Sequence, residues 1–406
     1  MKSIKCYLVL LSFCGLSVFA QKDNSKDRFA MKKLIRDNFE FAAKQYQYLE
    51  KATPSDSMPK TFENNRNVSS DVYWWCSGFY PGTLLYIYEY TKKPLILDEA
   101  KKRLAILDTV KYYTKNHDLG FMMYCSFGNA YRLTKKSAYK KVILESSKSL
   151  ATRYRPDAKV IQSWEVSDDG LRNKKNGFVG PVIIDNMMNL EMLEWASQNS
   201  TDKSFANIAE THANTTIKNH FRPDYSSYHV LDYNLKTGEV LKKVTAQGYA
   251  DSSAWSRGQG WALYGYTMMY RFTKNPTYLK QAQGVAKFIL NHPNLPADKV
   301  PYWDFDAPNI PNALRDASAA SIYASALLEL GQYTSGKEKQ NYVDVAKTIL
   351  KSLSTPKYRA ELGSNGGYLL KHSVGSIPHN GEIDVPLTYA DYYFVEALLR
   401  YKNWYL

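Results

Sequence analysis

The sequence predicts an all-α protein folded as an (α/α)6 barrel, six helical hairpins closed into a ring. Three observations predict it. Apolar helices alternate with amphipathic ones along the chain. One hairpin plan recurs. The length remaining after an N-terminal export signal suits about a dozen helices at roughly 30 residues each, loops included.

The first twenty residues stand apart from the fold. "MKSIK" supplies two lysines, "CYLVLLSFCGLSVFA" is an apolar run, and small Ala20 precedes Gln21. That is the order and length of a secretory signal peptide. The run is short for a membrane span, and polar sequence follows at once. Bulky Phe13 before Cys14 argues against lipidation. The expectation is an exported protein, periplasmic or secreted, with no stable membrane association once the signal is removed. No later stretch is long and apolar enough to span a bilayer, and no Pro/Ser-rich linker divides residues 21–406. They are read as one domain.

The helices follow in order. "DNFEFAAKQYQYLEK", "PGTLLYIYEYTKK", "FMMYCSFGNAYRLTKK", "DNMMNLEMLEWASQ", "GWALYGYTMMYRFTKN", "AASIYASALLELGQYT" and "DYYFVEALLRYKNW" carry apolar residues at helical spacing. Between them lie more polar helices such as "YLKQAQGVAKFILNH" and "KQNYVDVAKTILKSL". "YEYTKKPLILDEAKK", "YRLTKKSAYKKVILES" and "YRFTKNPTYLKQAQGVAK" share one plan: an aromatic helix end, Thr-Lys, a short turn and a new helix. Long polar insertions at 220–255 and 292–318 suit loops gathered on one functional rim.

Composition narrows the partners. The formal charge is +14, and the chain holds 33 Tyr and 8 Trp. A basic field attracts polyanions. Export argues against nucleic acid, and abundant aromatic rings favour sugar, whose C–H faces stack on them. Excess lysine can equally serve solubility alone. Cys6 and Cys14 leave with the signal, and Cys76 and Cys125 fall in predicted helices and are read as packed thiols.

The chain has no G-x-S-x-G elbow, no H-E-x-x-H, no phosphate-binding glycine loop and no C-x-x-C. Its seven histidines lack metal-ligand spacing. A carboxylate mechanism without metal or cofactor is the reading left. Two aspartates stand out. Asp118 lies in "KNHDLGFMMY" and Asp185 in "VIIDNMMN", each at the start of an apolar helix. Asp185 shares a helical stripe with Met188, Met192 and Trp195 at offsets of 3, 7 and 10, with Asn189 at offset 4. Helix capping is the plain alternative, but neither aspartate has Glu or Gln three residues on.

Aromatic and polar residues cluster in the predicted loops: Trp74 and Trp75, Gln162 and Trp164, His229, then Gln247, Asp251, Trp255, Arg257, Gln259 and Trp261. Trp with Arg suits a sugar acid, the ring stacking on the pyranose and the guanidinium gripping a carboxylate bidentately. For a single Trp, packing under a loop is the commoner role.

With these residues in hand, the chain resembles the unsaturated glucuronyl hydrolases of glycoside hydrolase family 88. The resemblance runs from about residue 70 to the C-terminus. It rests on "WCSGFYPG", "HDLGF", "IIDNMMN", "SSYH", "QGYADSSAWSRGQGWALYG", "PYWDFDAP", "RDASAAS" and "DYYFVEALLR", in that order. It implies an (α/α)6 barrel that needs no metal and acts on lyase-generated oligosaccharides ending in a 4,5-unsaturated uronic acid. It also implies that Asp185 is the acid/base, Asp118 its partner carboxylate and His117 the adjoining histidine. Trp75, Trp164, His229, Gln247, Trp255, Arg257 and Trp261 match positions lining the sugar pocket. Ala246 departs from the histidine often found before the Gln of the "QG" motif.

The chemistry implied by the resemblance is hydration of the C4=C5–O5 vinyl ether, with Asp185 protonating C4. Asp185 must then be protonated near neutral pH. A wall of Met188 and Met192, with Asp118 as a nearby like charge, is expected to raise its pKa. Three other readings compete: an unsaturated rhamnogalacturonyl hydrolase on the same barrel, a sugar epimerase with histidine bases, and a non-catalytic glycan-binding protein. Glycosaminoglycan fragments suit the basic charge best.

Overall fold

The structure, a computed structural model, describes residues 10–166 and 177–406, with side chains from residue 25 onward. The signal peptide expected over 1–20 therefore lies outside the described side chains. Among the described residues no helix is long and apolar enough to cross a membrane.

The described residues form twelve α-helices in two alternating layers. The outer layer is α1 (Leu10–Ala52), α3 (Pro94–Leu107), α5 (Ser137–Ala151), α7 (Ser204–Asn219), α9 (Pro276–Asn291) and α11 (Gly336–Leu353). The inner layer is α2 (Phe79–Thr91), α4 (Asn129–Thr134), α6 (Leu190–Asn199), α8 (Ser256–Thr273), α10 (Ala317–Leu330) and α12 (Thr388–Tyr405). Burial separates the layers. α10 is buried along its whole length, whereas α9 buries one stripe of Tyr278, Ala282, Val285, Ala286 and Ile289. A helix that is apolar all round belongs in a core, and one with a single stripe covers it. α12 packs against α2, so the inner ring closes on itself.

The Thr-Lys repeat is one cap used three times. Lys92, Lys135 and Lys274 end α2, α4 and α8 in left-handed conformation, with φ of 58°, 56° and 58°. Each donates its N–H to a tyrosine carbonyl, of Tyr88, Tyr131 and Tyr270. Each preceding threonine bonds back one turn, to Ile87, Ala130 and Met269. These tight caps turn inner helices into outer ones by the shortest route.

The opposite connections, outer to inner, are long, and they hold elements an all-α reading omits. β1 (Met58–Glu63) pairs β2 (Arg66–Ser70), β3 (Tyr154–Arg155) pairs β4 (Val160–Ile161), β5 (Pro181–Ile183) and β7 (Val240–Val244) flank β6 (Val230–Tyr233), and β8 (Ser373–Ser376) pairs β9 (Gly381–Val385). All pairs are antiparallel. Each strand lies in a connection from an outer helix to the next inner one, and the three-stranded sheet joins two such connections, so all four sheets decorate the rim where inner helices begin. The insertions of 220–255 and 292–318 reach the same rim, as expected.

Two inner helices start irregularly there. Gly120–Gly128 is π-helical before α4, and Ile184–Asn189 is a 3-10 turn before α6. The single helices expected over "FMMYCSFGNAYRLTKK" and "DNMMNLEMLEWASQ" are each broken at the rim end. Cys76 and Cys125 are free thiols, as expected, but only Cys125 is helical; Cys76 lies in the turn before α2.

Candidate active site

Short-range pairing at the rim assembles the site. Ser163 is the junction. Its carbonyl accepts His117 N–H (3.2 Å), its N–H donates to Pro181 O (2.9 Å), and its hydroxyl accepts Ile183 N–H (3.0 Å). Asn116 bridges Trp164, which brings that ring to the same edge. Ile183 pairs Val230, and Ile184 N–H donates to His229 O (3.0 Å). Four separate segments thereby place Asp118, Trp164, Asp185 and His229 around one space.

Neither aspartate caps its helix; no side-chain cap bond is made at either helix start. In this structure that work falls to Asp316, which accepts from Ser318 and Ala319 at the start of α10. Asp185 is 8 % exposed, and its Oδ2 has no hydrogen-bond partner. Burial first, and the Asp118 charge second, push its pKa up to about 7. Arg257, its own backbone N–H and the Trp261 indole pull the other way. Burial also raises Asp118 to about 7, against the amides of Asn189 and Asn116 and the charge of Arg153. Burial holds a proton on each into the neutral range, and the Asp118 charge adds to this at Asp185.

The methionine wall is corrected at Met192. Met188 lines a cavity of about 470 Å³ further down the barrel, and the Met192 carbonyl accepts from Ser147 on α5. The stripe assumed one continuous helix; the 3-10 turn keeps Met188 on the Asp185 face, since i and i+3 eclipse there, and its end at Leu190 shifts the phase only of Met192 and Trp195. Asn189 is the stripe residue that matters. Its Oδ1 accepts Phe121 N–H (3.1 Å), tying the two aspartate segments together. A Cβ on Gly120 would meet the Asn189 backbone at 2.4 Å, so "HDLGF" needs its glycine for this approach.

Both histidines are held in fixed orientations. His117 Nε2 lies 3.2 Å from Asp118 Oδ1. Burial, then the Arg153 charge, lower its pKa to about 3, so a neutral imidazole meets that carboxyl. His229 Nδ1 accepts the backbone N–H groups of Ala246 and Gln247, both at 3.1 Å. Its ring proton is therefore on Nε2, which faces Asp185 Oδ2 at 3.7 Å. Ala246 thus contributes a backbone donor, whatever its side chain.

Arg257 departs from the expected carboxylate grip. Its terminal nitrogens donate to Asp316 Oδ2, Val374 O, Gly375 O and Gln247 Oε1, at 2.5–3.3 Å. It pins β8 to the rim and turns the Gln247 amide, while its charge still reaches Asp185. Trp255 stacks between His229 (4.4 Å) and Arg257 (4.5 Å). Trp75 is half-buried against Tyr389 (4.9 Å). Trp261 is fully enclosed, so its indole N–H, not its face, bears on Asp185. Sequence reasoning missed Ser163, Asp316 and Tyr389. Ser163 and Tyr389 have no sequence signal of their own; Asp316, in "RDAS" ahead of an apolar helix, had the signature of an N-cap.

A ring of helical hairpins with paired buried carboxylates under an aromatic rim defines a sugar-processing barrel. The comparisons narrow the class. The model of Glycosyl Hydrolase Family 88 matches residues 48–405. An unsaturated glucuronyl hydrolase of Formosa agariphila is 47% identical over 330 residues, 81% of this chain and 80% of that protein. An unsaturated chondroitin disaccharide hydrolase of Streptococcus pneumoniae is 32% identical over 352 residues, 85% of this chain and 86% of the other. The crystal structure of an unsaturated glucuronyl hydrolase specific for heparin superposes with a TM-score of 0.87 at 43% identity, covering 91% of this chain and 97% of that one. The chain belongs to glycoside hydrolase family 88.

Proposed function

We propose that Asp185 is the acid and base with which this glycoside hydrolase removes a 4,5-unsaturated uronic acid from the non-reducing end of glycosaminoglycan-type oligosaccharides. The observation that carries the assignment is a pair of buried carboxyls, Asp185 and Asp118, both raised to about 7. A carboxyl that holds its proton at neutral pH can deliver it to carbon.

The steps follow from the substrate. Asp185 gives its proton to C4 of the vinyl ether, and positive charge develops at C5 and the ring oxygen. Water adds at C5 and returns a proton to Asp185. The hemiketal opens, the ring collapses to a keto-aldehyde acid and the leaving sugar departs. No nucleophile at C1 is required, unlike the two-carboxylate glycosidases. Asp118 raises the Asp185 pKa, and His229 Nε2–H, directed at Asp185, orients the water. Trp75, Trp164 and Trp255 bound the sugar, Gln247 offers its amide, and Arg257 and Trp261 set the field around the acid.

The N-terminal apolar run supports export, to the periplasm or beyond. Cell fractionation with N-terminal sequencing of the mature chain checks this; an uncleaved cytoplasmic product overturns it. For the chemistry, ultraviolet absorbance of an unsaturated glycosaminoglycan disaccharide is followed in time. Wild type removes the absorbance, and Asp185→Asn removes it about 10²–10⁴-fold more slowly. Near-wild-type turnover in Asp185→Asn sinks the assignment.

A further inference from the structure

The end of the barrel opposite the site carries a band of lysines that the reaction above does not use. The ends of α2, α4, α6, α8 and α12 meet there around one cavity, lined among others by Glu89, Lys135, Trp195, Arg271 and Asn403. The three cap lysines, Lys92, Lys135 and Lys274, close α2, α4 and α8 on this face, and Lys93 and Lys136 follow the first two. Lys402 lies near the end of α12. All six are exposed, and among the described residues none of them forms an ion pair. The carboxylates close by are spent elsewhere, Glu89 on Arg132 and Asp37 on Lys33 and Arg36. Four of the lysines lie over aromatic rings: Lys92 over Tyr88 (5.7 Å), Lys135 over Tyr131 (5.4 Å), Lys274 over Tyr270 and Tyr333 (5.4 and 5.1 Å) and Lys402 over Tyr90 (5.6 Å). Trp404, 40% exposed, lines the same cavity.

Helix chemistry does not account for this charge. Glycine fills a left-handed cap without strain; a lysine there is offset in part by the negative end of the helix dipole. Lys93 and Lys136 have no such offset. They are the N-caps of α3 and α5, make no side-chain cap bond and set a cation against the positive end of the dipole. The third copy of the turn shows what stability prefers. There Asn275 is the N-cap of α9, and its side chain accepts Thr277 N–H at 3.0 Å. Unpaired cations kept where they oppose the fold point to a partner outside the chain. The surface describes that partner. Spaced cations attract a polyanion. The rings between them offer faces on which sugar C–H groups stack, and a lysine meets a carboxylate or sulfate as a point charge. An acidic polysaccharide has both features.

We propose that this far face is a non-catalytic docking surface for an acidic polysaccharide chain, held by Lys92, Lys93, Lys135, Lys136, Lys274 and Lys402. A chain bound there keeps the enzyme at the polymer that lyases cut, while the rim stays free to take the unsaturated ends they release. The choice of a glycan among polyanions rests on the activity proposed above; the basic face does not.

The test uses the full-length protein and intact chondroitin sulfate, a polymer with no unsaturated end for the active site. Wild type binds it with a Kd that weakens as salt rises. Lys93→Ser combined with Lys136→Ser removes two cations and supplies two helix caps. Polymer affinity at low salt should fall about fivefold or more. The melting temperature should equal or exceed that of wild type, and kcat/KM for an unsaturated disaccharide should stay within about twofold of it. Lys159→Asn combined with Lys236→Asn is the matched control. These two lysines are exposed in the β3–β4 and β6–β7 turns, so the same charge is lost from the rim, and polymer affinity should stay within about twofold of wild type. Equal losses in the two double variants make the binding a matter of net charge and overturn the docking surface, as does a wild type that leaves the polymer unbound. Vesicles of equal parts phosphatidylglycerol and phosphatidylcholine are the second probe. A far face that binds them and not the polymer is a lipid surface, and the proposal falls. If the disaccharide stays intact while the polymer binds through the far face, the activity fails and the docking surface stands.

Discussion

Asp185 does its work only while it holds a proton, and the surroundings decide when that is. With its pKa at about 7, raised by burial and by Asp118, the protonated fraction falls as pH rises through neutrality. The expected kcat/KM profile has an alkaline limb near that value, falling about tenfold per pH unit above it. Asp118→Asn removes the like charge. The limb should then move to lower pH, because Asp185 gives up its proton more easily, and turnover at neutral pH should fall with it. A profile unmoved by Asp118→Asn would remove Asp118 from this role. At this scale the residue types were legible: a carboxylate in an apolar run is conspicuous. Its neighbours were not, because Met192 is near only in sequence whereas burial and Asp118 act through space.

Elements position those residues more than propensity does. The two broken inner helices meet where Phe121 N–H reaches Asn189 and where Gly120 leaves no room for a side chain. Gly120→Ala must therefore separate the Asp118 and Asp185 segments. The expected outcome is a folded protein, judged by far-ultraviolet circular dichroism, with kcat lowered by about 10²-fold or more, as a displacement near 1 Å can do. Arg257 acts at the same scale, tying β8 to α8. Arg257→Lys keeps the charge but loses the fork. The hairpin should loosen, seen as faster amide exchange in residues 373–385 and a raised KM. The Thr-Lys caps were readable in advance because they are local chemistry: a threonine, a lysine and a turn. The π stretch, the 3-10 turn and the small sheets were not, because their residues choose those shapes only against partners from other parts of the chain.

The molecule as a whole keeps chemistry and stability at opposite ends of the barrel. Beyond the aromatic layer of Phe121, Trp261 and Tyr393, the inner helices hold a buried ion network. Arg271 pairs with Glu191 and Glu329, and Arg400 with Glu329 and Glu396, most of them nearly enclosed. Removing one member leaves an uncompensated charge in the core. Arg400→Met should cost about 3–5 kcal/mol by chemical denaturation, while kcat of the folded fraction stays near wild type. A large loss of kcat at full folding would show that the two ends are coupled.

What the sequence determined by itself was everything written in local periodicity and residue chemistry. The alternation of apolar and amphipathic helices, the three repeated caps, the crowding of insertions at one rim and the two exceptional aspartates need only near neighbours to be seen. Tertiary structure decided the rest. It chose which nitrogen of His229 faces Asp185, spent the Arg257 fork on protein acceptors and broke two helices at the rim. Those outcomes depend on dielectric, on close approach and on pairing between residues up to hundreds of positions apart. These are properties of the packed ring and of no single stretch of chain.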